Sequence, residues 1–396
     1  MHIVRPTLLA AAWVICTVQS TAQARQPWQM QDSGAAAGLR GIDSVDGTVA
    51  WASGTGGTVL KTIDGGAHWQ PCAIPDAAAD GATLDFRGVQ AWDSDTAIVM
   101  ASGPGEKSRL YKTTDGCRTW TLLFKNPNAP DGFFDSFWLN AIYGQGILLG
   151  DPVRGQFTVF ETEDGGQTWK RDRSKELSLH GNSLAAFAAS NSSIARSDQR
   201  YFRGFVTGGK GGAVLYMRWY PPNFWKSRIH PRRSGLVDPP WSTSTIPLAG
   251  GSDASGAFSL GYRYTGNSCH DCGFGAYWQF VAVGGDYTKP AESAGTAAWS
   301  GAGGLHWTAS AKPPHGYRSS VEWSDSLNAW ITAGTNGSDI SRDDGQTWQP
   351  LDDGNWNALS LPFVVGPNGR IARLNPSALP AEKVSDSPFV TLPAGT

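Results

Sequence analysis

The chain is poor in charge. Asp, Glu, Lys and Arg make up only 17% of its 396 residues and nearly cancel, leaving a net charge of −2. Such a balance argues against a general nucleic-acid or membrane-surface partner. Cysteine is scarce, at five residues. Long apolar runs are nearly absent. The run from Leu8 to Val18 is the main one, and it is short for a membrane span.

That run follows His2 and Arg5 and precedes Ala22-Gln23-Ala24, a small-x-small cleavage pattern. Residues 1–24 therefore read as a signal peptide. Cys16 does not mark a lipoprotein site, because Ile15 before it is bulkier than such sites accept. The mature chain is expected to be secreted or periplasmic, with no transmembrane segment. Cleavage leaves four cysteines, and an even count in an exported protein favours disulfides. Cys72 and Cys117 lie in neighbouring repeats, while Cys269 and Cys272 are local. Of the three possible pairings, Cys72–Cys117 with Cys269–Cys272 is the simplest.

What the chain has in excess is glycine, at 49 residues, and tryptophan, at 18. Together they favour short strands, tight turns and large aromatic wedges. One eight-residue pattern recurs: hydroxyl, any, Asp, two turn residues, any, any, Trp. It reads Thr62-Ile63-Asp64-Gly65-Gly66-Ala67-His68-Trp69 at first and returns around Asp115, Asp164 and Asp343. A copy at Ser300–Trp307 has lost its Asp. The carboxylate is expected to accept turn amides two or three residues on, and Gly supplies the positive φ of a tight hairpin.

Apolar strands ending at a glycine count the repeats. The ends fall at Gly54, Gly103, Gly150, Gly208, Gly285, Gly334 and Gly366. Box tryptophans lie 51 and 49 residues apart (69, 120, 169), which suits four short strands per repeat. The prediction is an all-β, single seven-bladed β-propeller with Asp-box turns over residues 25–380, with a loosely held tail at 381–396. Blade four is expected around 181–230 without a box, and blade five around 251–310 with long loops. The last repeat has room for three strands only. Pro27–Asp32 is expected to supply its outer strand, which closes the ring and leaves no free edge.

The boxes, the starts Leu39-Arg40-Gly41-Ile42 and Phe86-Arg87-Gly88-Val89, Gly284-Gly285-Asp286-Tyr287 and Gly316-Tyr317-Arg318-Ser319 together resemble the photosystem II stability/assembly factor-like family. This is a branch of the BNR/Asp-box propellers. The resemblance implies a propeller without enzymatic activity that binds a protein partner, since the photosynthetic relatives bind a membrane-protein assembly intermediate. The box is also similar to that of sialidases. That likeness implies the alternative, a glycoside hydrolase working in the same central cleft with three arginines on a substrate carboxylate. The Phe-Arg-Ile-Pro start of those enzymes is absent, because Gly88 stands after Arg87.

Candidate functional residues follow from where innermost strands begin. Arg40, Arg87 and Arg318, with Asn140 and Asn357, are read as one equivalent entry position in blades one, two, six, three and seven. A ring of such donors at one mouth of the channel suits a carboxylate, sulfate or phosphate ligand, or an acidic peptide. The competing reading is that each Arg braces adjacent blades through Asp151, Asp286 or Glu322. Those three carboxylates are also the weak candidates for acid–base catalysis. The box residues Asp64, Asp115, Asp164 and Asp343 are read as structural. Cys269-His270-Asp271-Cys272 sits in loop-like flanks, which favours a structural disulfide over redox work or metal binding. Arg228, His230, Arg232 and Arg233 form a basic run in a blade-four insertion, either a solvated loop or a dock for an acidic partner. No cofactor and no metal site are expected, and the chain reads as a monomer.

Overall fold

The computed structural model describes residues 26–140, 142–197, 201–220, 238–266, 278–301 and 303–380. Residues 1–24, the tail 381–396, the Cys269–Cys272 motif and the basic run at 228–233 lie outside the described residues. Seven four-stranded antiparallel sheets form in chain order. Blade one contains β2 (Leu39–Ser44), β3 (Ala50–Gly54), β4 (Val59–Thr62) and β5 (Gln70–Pro71). Blade two contains β6 (Phe86–Ala91), β7 (Ala97–Ala101), β8 (Arg109–Thr113) and β9 (Thr121–Lys125). Blade three contains β10 (Phe134–Leu139), β11 (Gly146–Val153), β12 (Gln156–Thr162) and β13 (Lys170–Arg171).

Blade four contains β14 (Ile194–Arg196), β15 (Phe202–Val206), β16 (Ala213–Trp219) and β17 (Ser242–Ile246). It therefore runs further along the chain than the sequence spacing implied, because its outer strand follows the 221–237 segment. Blade five contains β18 (Ser255–Tyr264), β19 (Trp278–Asp286), β20 (Ala297–Ser300) and β21 (Thr308–Ala309). Blade six contains β22 (Ser320–Ser324), β23 (Ala329–Gly334), β24 (Gly337–Ser341) and β25 (Gln349–Asp352). Blade seven takes β26 (Ala358–Ser360), β27 (Phe363–Val365) and β28 (Ile371–Leu374) from the C-terminal end of the ring. Its fourth strand is β1 (Trp28–Gln31), which pairs antiparallel with β28 from Trp28↔Leu374 to Gln31↔Ile371.

The apolar core is divided among the seams between blades. Trp51, Val59, Phe86, Val99 and Tyr111 join blades one and two. Leu39, Trp69, Phe363 and Ile371 join blades seven and one. Second strands are buried on both faces, which is why they read as continuous apolar runs. The closing strand is fastened across a seam as well. The Trp28 indole donates to Ser338 Oγ at 2.8 Å, and the Trp69 indole donates to Gln31 Oε1 at 3.0 Å.

The outer turns are built by side chains. In blade one the Gly66 amide donates to Thr62 Oγ1 at 2.9 Å and the His68 amide to Asp64 Oδ1 at 3.0 Å. The same pair of bonds occurs around Asp115, Asp164 and Asp343. The amide taken by Asp is mainly four residues on, rather than two or three. These bonds, the one from the His68 amide first, hold the Asp64 carboxyl down at about 2; Asp115 is held at about 2 by Thr119. Cys72 and Cys117 form a disulfide that ties the outer edge of blade one to the outer turn of blade two.

Candidate functional site

Innermost strands enter the ring through a repeated irregularity. The register of β2 against β3 shifts between Leu39 and Gly41, so Arg40 is bulged out of the ladder. The same shift bulges Arg87 in β6, Asp135 in β10 and Phe258 in β18. A bulge re-aims its side chain and commonly lies beside a binding site. In blade seven the Asn357 amide donates to Val365 O, and in blade six the Ser319 amide donates to Ala333 O, which places both at the equivalent position. The next residue is small in every case: Gly41, Gly88, Ser136, Ser259, Ser320 and Ala358. Space demands it. A Cβ on Gly88 would stand 2.9 Å from Asn191 Oδ1.

All six bulge-position residues line one cavity of about 470 Å³ on the axis. The remaining wall includes Phe133, Asp151, Phe187, Tyr287, Tyr317 and Thr335. Its floor is the segment Ala185–Ser193, which crosses the ring before β14. The Ala186 amide donates to Asp151 Oδ1 at 3.1 Å. Asn191 Oδ1 accepts from the Phe137 amide, Ser190 Oγ donates to Ser319 O, and Ser192 Oγ donates to Ser259 Oγ. The segment is thereby tied to blades three, five and six.

The charges of the mouth are balanced. Asp85 reaches both arginines, with its oxygens 3.6 Å from Arg40 Nε and 2.7 Å from Arg87 Nε. Burial lowers the Arg40 guanidinium; Asp85 opposes that and neighbouring Arg87 adds to it. Burial pushes Asp135 well above the usual carboxylate range, and the nearby Asp151 charge pushes the same way. Burial also raises Asp151. The aromatic wall is closely packed: Phe187 stacks on Phe258 at 3.9 Å, and Tyr317 meets Phe258 edge-on at 4.9 Å.

The predicted ring is thus only partly assembled. Arg40, Arg87, Asn357 and Asp151 meet at the mouth. Arg318 does not. It sits one position before the bulge, equivalent to Leu39, and is fully buried. Its Nε donates to Asp339 Oδ2 at 2.7 Å, and His315 Nδ1 lies 2.9 Å from its Nη2. Arg318 is paired with Asp339 and does not line the cavity. Asn140 follows the far end of β10 and caps a turn, accepting from the Ile142 and Tyr143 amides at 2.9 Å. Asp286 is buried outside the cavity and bound to Thr288 and Ser252; the Thr288 bond lowers it despite burial. Glu322 lies at the opposite end of the channel and accepts from the Leu361 amide at 2.9 Å. The three-arginine cluster of the sialidase-like alternative is not formed by these residues.

Inner strands begin at the mouth and run away from it. The residues flanking 267–277, which link β18 to β19, therefore lie at the far face. Sequence reasoning missed Asp85, Asp135, Phe187 and Phe258. The small residue after each bulge was the available signal: aligning Phe134-Asp135-Ser136 with Phe86-Arg87-Gly88 exposes Asp135.

No protein-family model matches the chain. The photosystem II assembly lipoprotein Ycf48 of Synechococcus sp. (strain CC9902) is 27% identical over 147 residues, which covers 36% of this chain. The chain resembles Ycf48. The match spans 39% of that relative's length. A Ycf48 structure bound to a D1 peptide superposes with a TM-score of 0.55 at 17% identity, covering 88% of this chain and 95% of the other. Ycf48 from Cyanidioschyzon merolae gives 0.56 at 18% identity, covering 89% and 99%. The two Ycf48 structures share the propeller fold with this chain.

Proposed function

We propose that this chain is a non-enzymatic binding propeller that holds a short segment of a partner protein in the axial mouth. The observation that carries the reading is the convergence of the bulge-position residues on one floored cavity. Arg40 and Arg87 present guanidinium donors, Asn357 stands beside them, and the Phe187–Phe258 stack supplies an apolar wall. That is the composition of a site that anchors an aromatic or aliphatic side chain and fixes its orientation with a few polar groups. The Ycf48 structure with a bound D1 peptide supports a peptide as the ligand class. The Cys72–Cys117 disulfide and the signal-like residues 1–24 support export to an oxidising compartment.

Selection of a random displayed peptide library on the purified protein tests the reading. The expected binders are short, rich in aromatic and acidic residues, and weakened about tenfold or more by Arg87→Ala. Binders that hold Arg87→Ala and Arg40→Ala as tightly as wild type would overturn it. Turnover in a broad glycoside screen, abolished by Asp151→Asn, would favour the hydrolase alternative instead.

A further inference from the structure

The bulge position carries Arg in blades one and two and Asp in blade three. The same backbone device thus aims opposite charges into one cavity. Asp135 is 1% exposed, lines that cavity, and its Oδ2 has no hydrogen-bond partner among the described residues. A buried carboxyl left in that state is costly unless something completes it. Asp151 stands next to it with one oxygen engaged by the Ala186 amide. The other charged groups at the mouth are Arg40, Arg87 and Asp85, and Asp85 already bridges the two arginines. Counting both arginines against Asp85 and Asp151 gives a neutral mouth before Asp135 is considered. A site meant for an anion alone has no use for the second and third carboxyls.

We infer that Asp135 and Asp151 form a subsite for a ligand ammonium, so that the mouth takes a mixed-charge segment with its carboxylate at Arg40 and Arg87 and an amine at blade three. The chemical class is a lysine side chain or a free amino terminus. Asp151 makes the direct contact, through the oxygen not held by Ala186. Asp135 stands behind it and, raised by burial and by Asp151, holds its proton until an arriving ammonium favours its release to solvent, after which its carboxylate adds to the negative potential. Phe133 and Phe187, which line the same cavity, cover the methylene stem. The inference rests on the peptide-binding reading for its biological use, but not for its test.

The test uses n-butylammonium chloride as the probe and the full chain labelled at Asp carboxyl carbons. The expected result is a saturable shift of the Asp151 and Asp135 resonances in wild type. Asp151→Asn keeps the acceptor for Ala186 and should weaken the probe about tenfold. Arg40→Ala should bind the probe at least as well as wild type, whereas an acidic peptide should lose affinity for that variant. No saturable shift, or a shift undiminished in Asp151→Asn, overturns the ammonium subsite. A second measurement needs no variant. Acetyl-Asp-Phe-Lys-amide should bind wild type about tenfold tighter than its norleucine analogue. Equal binding of the pair counts against the subsite. Failure of both peptides alongside a saturable butylammonium shift would instead count against the peptide reading and leave the subsite standing.

Discussion

The outer turns repeat one set of residues, whereas the mouth repeats one backbone shape with a different residue at nearly every blade. In the turns, hydroxyl and Asp return together because each accepts the same local amides. In the mouth only the bulge and the small residue after it return. The bulged side chains are Arg, Arg, Asp, Phe, Ser and Asn. Sameness marks what each blade needs in order to fold. Difference marks what the blades build jointly, since no single blade can form a polarised cavity.

The sharpest way to break this division is to attack a residue that looks like part of the mouth and is not. Arg318→Ala removes the guanidinium from buried Asp339 and leaves His315 as its remaining partner. Loss of one partner of such a pair costs on the order of 3–5 kcal/mol, and peptide affinity of the molecules that remain folded should be unchanged. Thermal unfolding with parallel titration checks both. Trp51→Ala, in the seam of blades one and two, should cost a similar ~3–5 kcal/mol. A large affinity change at constant stability for Arg318→Ala would return it to the binding site.

Glu322 gives a smaller effect with a pH signature. Burial pushes its carboxyl up to about 7, and Asp43 nearby is also at about 7 through burial. Both folded-state values lie above the unfolded ones. Stability is then greatest below the ordinary carboxylate range and falls as pH rises through that range to about 7. Glu322→Gln should flatten this fall, raising Tm at pH 8 more than at pH 4. An unchanged pH profile would contradict the assignment. The outer turns act the other way. Asp115 is held at about 2, so its contribution is present at neutral pH and is lost as pH falls from about 4 to about 2. Asp115→Ala should lower Tm slightly at pH 7, less at pH 2, and leave peptide binding untouched.

The fold was largely legible because its signals are local. Trp spacing, turn glycines and second-strand apolar runs each belong to one blade, and they gave the seven-blade count and the Pro27–Asp32 closure. The mouth was legible only where the bulge motif stayed close to its pattern, at Arg40, Arg87 and Asn357. Arg318 looked equivalent because it too precedes a strand, yet a one-residue offset turns a channel-facing side chain into a buried one. Asn140 follows Leu139 as Arg40 follows Leu39, but Leu139 ends its strand whereas Leu39 begins one. The floor at Ala185–Ser193 carries no repeat at all. Its role depends on contacts with blades three, five and six, which no local pattern encodes.

The central claim is that the mouth, not the outer turns, engages the partner. Hydrogen–deuterium exchange with and without a saturating selected peptide tests it most directly. The account predicts slowed exchange at the amides of Arg40, Arg87, Asp135 and the Ala186–Ala189 floor, with the turns at Asp64, Asp115 and Asp164 unchanged. Protection confined to those turns, with none at the mouth, would contradict it.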